Sequence, residues 1–288
     1  MDSVELISNS FNAWRPNKEA MKYFAILLSL QLLVSAVSIM AYSYFLGQDF
    51  FSLAYTEGGP PQQLQDKYAE VNLMLFPLAA AASIAAVYIY LLIIRAALRQ
   101  FGFKTGKFDF RKKLHSYVLI IASALAGAFS LYDKKFLLFP LAAAALSFLQ
   151  GAAQQFSEAL ANFMGLAILA LLLAYVCVTI RNFARLLMAF PIFFTEEKNV
   201  LESLSASWGE TRGKIMLVIV PAAGLFAIFA VANVTLVYVF SELGKLAGIY
   251  TGFIALAVIL PTLVNVFMGA LYGVANNYLA VLIHKELK

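Results

Sequence analysis

Charge is scarce in this chain. Only 13% of its 288 residues are Asp, Glu, Lys or Arg, where a soluble globular chain carries about a quarter. Cysteine is scarcer still. Cys177 is the sole one, so one chain can build neither a disulfide framework nor a cysteine metal site. The two histidines, His115 and His284, have no carboxylate or cysteine at metal-ligand spacing; they read as polar residues at the membrane interface, and no metal or cofactor is expected. No P-loop, Gly-rich phosphate cradle or Ser-His-Asp motif is present. Alternation with period two is missing, which argues against a β-barrel. No Asp or Glu lies centrally in an apolar run, which argues against a proton-coupled transporter.

What is present is apolar length. Hydrophobic residues make up 62% of the chain and mean hydropathy is +0.81. Runs able to cross a roughly 30 Å hydrocarbon core read as transmembrane helices. They lie at 21–46, 72–95, 114–131, 160–180 and 215–240, the last kinked at Pro221. A final region, 246–283, is too long for one straight span and is expected to divide at Pro261. Residues 136–149, interrupted by Pro140, reach only about 20 Å at the helical rise of about 1.5 Å per residue; they re-enter the membrane or lie at its surface. The first run exceeds a signal-peptide h-region and is read as a retained span. Ahead of it, Val4, Ile7, Phe11 and Trp14 recur at helical spacing. That predicts an interfacial amphipathic helix anchored by Trp14.

Lys and Arg sort by side. With both termini and the loops after the second and fourth spans in the cytoplasm, only Lys67, Lys134, Lys135 and Lys245 of the 21 basic residues fall outside, the positive-inside pattern. The net charge of +5 is thus a topology signal, and no nucleic-acid partner is expected. The expected fold is all-α: a single polytopic domain over 1–288, an integral membrane bundle of about six transmembrane helices in the cell membrane, both termini cytoplasmic. The basic loop 95–113 interleaves Phe101, Phe103, Phe108 and Phe110 with its charges and reads as an anionic-lipid contact. The alanines 79–82, 85 and 86, and the pairs Gly244/Gly248, Gly248/Gly252 and Gly269/Gly273, predict close helix approach.

The most distinctive stretch is an elbow, 181–214. It breaks at Pro191 and is expected to form a cytoplasmic amphipathic helix over 196–212. Thr195 is the expected N-cap, with Glu196 and Glu197 in the first turn. Val200, Leu201, Leu204, Trp208 and Thr211 share a face, Glu210 can pair with Lys214, and Gly213 ends the helix. Arg185, Pro191, Glu196, Glu197, Leu204, Ser207, Trp208, Thr211, Arg212 and Gly213 together form a pattern. So do Ser10, Phe11, Trp14, Arg15 and Asn17 near the N-terminus, and a short charged tail, His284 to Lys288. On these residues the chain resembles a prokaryotic membrane family that includes the membrane domain of some glycerophosphodiester phosphodiesterases and stand-alone relatives of unknown function. The resemblance implies about six spans with a basic loop after the second. It departs in lacking a Pro-Gly pair before the elbow and in carrying 136–149 as an apparent insertion. Nothing here supplies the acidic metal ligands or catalytic histidines of the phosphodiesterase domain, so the resemblance implies no enzymatic activity.

Two sets of residues are candidates for function. Arg181 and Arg185 share a helix face and, with Arg95 and Arg99, suit anionic headgroups; an interfacial anchor is the plainer reading of the same placement. Gln31, Asn233, Asn265, Asn276 and Asn277 are amides within apolar runs. Cross-helix hydrogen bonding is their plainer reading and a translocation path the functional one. The elbow residues Leu204, Ser207, Trp208, Thr211 and Gly213 are the expected contact for a protein partner. The leading expectation is a non-enzymatic protein that organises the membrane or binds anionic lipid headgroups on the cytoplasmic side. The alternative is a transporter or permease component whose elbow docks a partner.

Overall fold

The computed structural model describes all residues except 1, 48–49, 52–61, 107–110, 113, 120, 122–137, 154–156 and 197. The regular secondary structure of the described residues is helix, with no strand. In order the helices are α1 (Ser3–Asn12), α2 (Lys18–Leu46), α3 (Gln62–Gln100), α4 (Leu138–Ala153), α5 (Glu158–Leu187), α6 (Ala189–Thr195), α7 (Val200–Glu210), α8 (Ile215–Thr251) and α9 (Leu256–Leu287). Among the described residues, five stretches are long and apolar enough to cross a membrane: Lys18–Leu46, Asp66–Gln100, Ala161–Thr195, Ile215–Thr251 and Leu256–Leu287. Of the span expected at 114–131, residues 114–119 and 121 are helical and the rest lie outside the described residues. The large apolar side chains exposed along these helices, such as Leu33, Met40, Leu73 and Val234, suit a hydrocarbon solvent that satisfies no backbone group and so favours unbroken helices.

The chain divides into two compact units, 1–104 with 221–282, and 105–220 with 283–288. In the first, α2 packs along α3. Helix α1 does more than lie on a surface. Leu6 is buried, Phe11 stacks on Phe229 of α8 with ring centroids 5.2 Å apart, and Trp14 is 5% exposed against Phe24. The expected interfacial anchor is therefore a core residue, because the chain turns at 13–16 and carries the indole inward. Asn17 fixes that turn. Its side-chain oxygen caps α2 by accepting from the N–H groups of Glu19 and Ala20. Its Nδ2 donates to Gln100 Oε1 at 2.9 Å and to the Tyr278 hydroxyl oxygen at 3.1 Å. Gln100 in turn donates to Ala13 O at 2.7 Å. One amide thus ties α1, α2, α3 and α9 together.

The division of 246–283 differs from expectation. Helix α8 continues to Thr251, the chain turns at Gly252 (φ +72°), and α9 runs through Pro261. A left-handed residue ends a helix outright, whereas a membrane helix tolerates a proline. Of the glycine pairs, Gly244 and Gly273 make close approaches. A Cβ on Gly244 would meet Leu256 O at 2.5 Å, and one on Gly273 would meet the Tyr90 ring at 2.4 Å. Gly269, one turn before Gly273, would meet nothing within 4 Å.

In the second unit, α4 packs against α5 as one helix of 16 residues that includes Pro140. α5 gives way to α6 at Met188, one turn ahead of Pro191. Proline has no N–H to return to the carbonyl four residues earlier, so the interruption falls before it and Pro191 sits buried within α6.

Candidate functional site

The elbow helix is shorter than its periodicity suggests and starts at Val200. Asn199, not Thr195, is the N-cap. Its side chain accepts from Glu202 N at 2.9 Å while Glu202 Oε2 accepts from Asn199 N at 3.1 Å, a reciprocal capping box. The Thr195 hydroxyl instead donates back to Pro191 O at 2.9 Å. Glu197 lies outside the described residues. Along α7, Ser203, Leu204 and Ser207, with Thr211 just beyond, form one buried face. Ser203 donates to Asn199 O and Thr211 to Ser207 O, each at 2.8 Å. The Ser207 hydroxyl donates across to the carbonyl of Arg185, and the Arg185 guanidinium carbon lies 4.5 Å from the Trp208 ring centroid. Arg185 is thus held at its backbone by one elbow residue and at its charge by the next. Trp208 is half-buried beneath it. Gly213 ends the elbow at φ +77°. Arg181 is half-buried one turn before Arg185, and Asn182 between them is fully buried.

The charged tail closes onto this elbow. His284 is fully buried, with Nε2 3.4 Å from the Thr195 hydroxyl and Nδ1 3.5 Å from Glu210 Oε2. The expected Glu210–Lys214 pair is replaced, since Lys214 donates to Leu287 O at 3.3 Å. Lys198 and Lys288 each reach Glu196 at 2.6 Å. Burial opposes the charge on Glu196, but hydrogen bonds from Lys198 and Lys288 outweigh it and hold the carboxyl at about 2. The hydrogen bond to Glu196 raises the Lys198 ammonium in turn. No spacing in the sequence points to the tail as partner of the elbow. The one available signal was the run of acids Glu196, Glu197, Glu202 and Glu210 in the elbow, with Lys285 and Lys288 in the tail.

In the other unit, Arg99 pairs with Glu19 at 3.6 Å, both side chains more than 40% exposed. Such a pair contributes about 0–1 kcal/mol. Arg95 lies half-buried one turn before it. The amides divide. Asn233 Nδ2 donates to Asn265 Oδ1 at 3.0 Å, and both residues line cavities of about 160 and 610 Å³. Gln31 and Asn265 line a third of about 430 Å³ with Ser35 and Ser83. Asn276 and Asn277 are half-buried and line none of these three. Ala79, Ala82 and Ala86, expected to bring helices together, line the 430 Å³ cavity; their small side chains leave room on the side facing Asn265. Sequence reasoning passed over Ser35 and Ser83, whose signal was a hydroxyl placed among small residues.

Comparison with family models, curated proteins and solved structures finds no match.

Proposed function

We propose that the chain is a non-enzymatic multi-pass protein of the cell membrane, both termini cytoplasmic, that binds anionic lipid headgroups through Arg181 and Arg185, with Arg95 and Arg99 as a second basic cluster. Relationship to the membrane family named above is part of this reading. The observation that carries it is the Arg185–Trp208 stack. It holds a planar guanidinium in a set orientation where an apolar helix meets a polar elbow, and in-plane donors of that geometry match phosphate oxygens. A basic residue near an anionic surface contributes about 1 kcal/mol, so two contribute about 2 kcal/mol, or roughly thirtyfold in affinity. Native mass spectrometry of the protein released from phosphatidylglycerol nanodiscs tests this. Arg181→Ala with Arg185→Ala should reduce retained phosphatidylglycerol by about that factor while phosphatidylcholine retention holds. Unchanged phosphatidylglycerol retention would sink the reading.

A second reading, a transporter or permease component, is supported by the cavities at Gln31, Asn233 and Asn265. A water-accessible path would let a membrane-impermeant thiol reagent reach Ser83→Cys in a Cys177→Ser background. Failure to react removes that reading.

A further inference from the structure

The last turn of α7, Ser207 to Glu210, carries the Ser207 hydroxyl onto the Arg185 carbonyl and the Trp208 ring to 4.5 Å from the Arg185 guanidinium carbon. That turn is the weak end of the helix. The first turn is fixed by the capping box of Asn199 and Glu202. The last contains Gly209, the poorest helix former after proline. A Cβ there would meet nothing within 4 Å, so packing does not call for a glycine. The helix closes on Glu210, with no basic residue in the turn. A carboxylate at the C-terminal pole of a helix is repelled by the carbonyl ends gathered there. A helix of 11 residues is also marginal without outside support.

The tail supplies what the turn lacks. His284 is fully buried, with Nδ1 3.5 Å from Glu210 Oε2, itself a buried atom. An Nδ1–H at that point offsets the carboxylate against the helix pole. Two more contacts strap the tail to the elbow on either side of α7. Lys288 reaches Glu196 at 2.6 Å, ahead of the helix, and Lys214, beyond it, donates to Leu287 O at 3.3 Å. We infer that His284 is a positioning residue for the Arg185 site: by holding Glu210 it keeps the last turn of α7 wound, and so keeps Trp208 beneath the guanidinium. The consequence for lipid rests on the headgroup reading of Arg185, whereas the consequence for α7 does not.

The test uses the full chain in phosphatidylglycerol nanodiscs, with hydrogen exchange of residues 206–211 and phosphatidylglycerol retention in native mass spectrometry as separate readouts. His284→Ala leaves a buried carboxylate at the helix pole. It should speed exchange by about threefold or more and lower retention by about threefold to fivefold, up to the share of one arginine. Adding Glu210→Ala removes that carboxylate, and adding Gly209→Ala instead raises helix propensity in open space. Each should bring both readouts back to within about twofold of the parent, a rescue that general damage to the tail would not show. Unchanged exchange in His284→Ala, or double variants no better than His284→Ala, overturns the inference. So does faster exchange with retention unmoved while Arg181→Ala with Arg185→Ala still lowers retention. If the arginine pair proves silent, the headgroup reading falls and exchange alone decides whether His284 holds α7. Should His284→Ala fail to fold, His284→Ala with Glu210→Ala is read in its place: it should fold and match the parent within about twofold, and its failure to do so overturns the inference.

Discussion

Gly269 and Gly273 form the kind of small-residue pair by which membrane helices are expected to pack, yet the two face different surroundings. A Cβ on Gly273 would lie 2.4, 2.5 and 2.7 Å from Tyr90 Cε1, hydroxyl oxygen and Cζ, and one on Gly269 would touch nothing within 4 Å. Ordinary contact begins near 3.4 Å, so Gly273→Ala forces the Tyr90 ring back by about an ångström, an overpacking cost of about 1–3 kcal/mol. Replacing glycine in a helix by alanine also gains about 1 kcal/mol of propensity, and both variants share that gain. Gly269→Ala should therefore be neutral to stabilising by about 1 kcal/mol. Gly273→Ala should fall below it by about 1–3 kcal/mol, the part that does not cancel. Trp14 is a suitable reporter, since it is buried in the same unit. A Trp208→Phe background leaves it as the sole tryptophan. Unfolding by sodium dodecyl sulfate, followed by Trp14 emission, gives the two free energies. Adding Tyr90→Ala should erase most of the difference, as coupling between touching residues requires. Equal midpoints for the two glycine variants, or the reverse order, would refute the close approach.

Asn17→Ala removes a helix cap, worth about 0.5–2 kcal/mol, together with the amide donor shared by Gln100 and Tyr278. The same titration should place Asn17→Ala lowest and Asn17→Asp, which keeps the cap and loses the donor, between it and the parent; parity of Asn17→Ala with the parent contradicts the role assigned to this residue. The Glu196 carboxyl titrates at about 2 in the folded chain against an ordinary 4.5. Its contribution is complete above pH 4.5 and is lost as pH falls from there through 2. Hydrogen exchange of residues 283–288 should accordingly stay as slow at pH 5 as at pH 7 after correction for intrinsic rates, and Glu196→Gln should speed it at pH 7. Loss of protection between pH 7 and 5, or exchange left unchanged by Glu196→Gln, would refute the hold assigned to Glu196.

Sequence by itself determined the class of this protein. Long apolar runs with few charges leave backbone groups no partner but their own helix, so α-helices of span length follow from composition and continuity alone. The position of Gly213 at the end of the elbow was legible for a related reason, since a helix end is a local matter of one residue's backbone. Local signals failed where two candidates competed. Thr195 and Asn199 are both good caps by type, and the capping box with Glu202 decided for Asn199. Pro261 and Gly252 are both breakers, and the left-handed turn at Gly252 prevailed. Pairings across long separations were not legible at all. Nothing near Glu196 or Glu210 in the chain names Lys288 or His284, and nothing near Asn17 names Tyr278. The glycine motif was visible as spacing, but which glycine touches a neighbour depends on where Tyr90 stands. The mid-helix amides were visible too. That Gln31, Asn233 and Asn265 meet around open space while Asn276 and Asn277 line none of it depends on the rotation of four helices about their axes. An almost uniformly apolar helix carries little periodic signal of which face turns inward, so only packing could decide it.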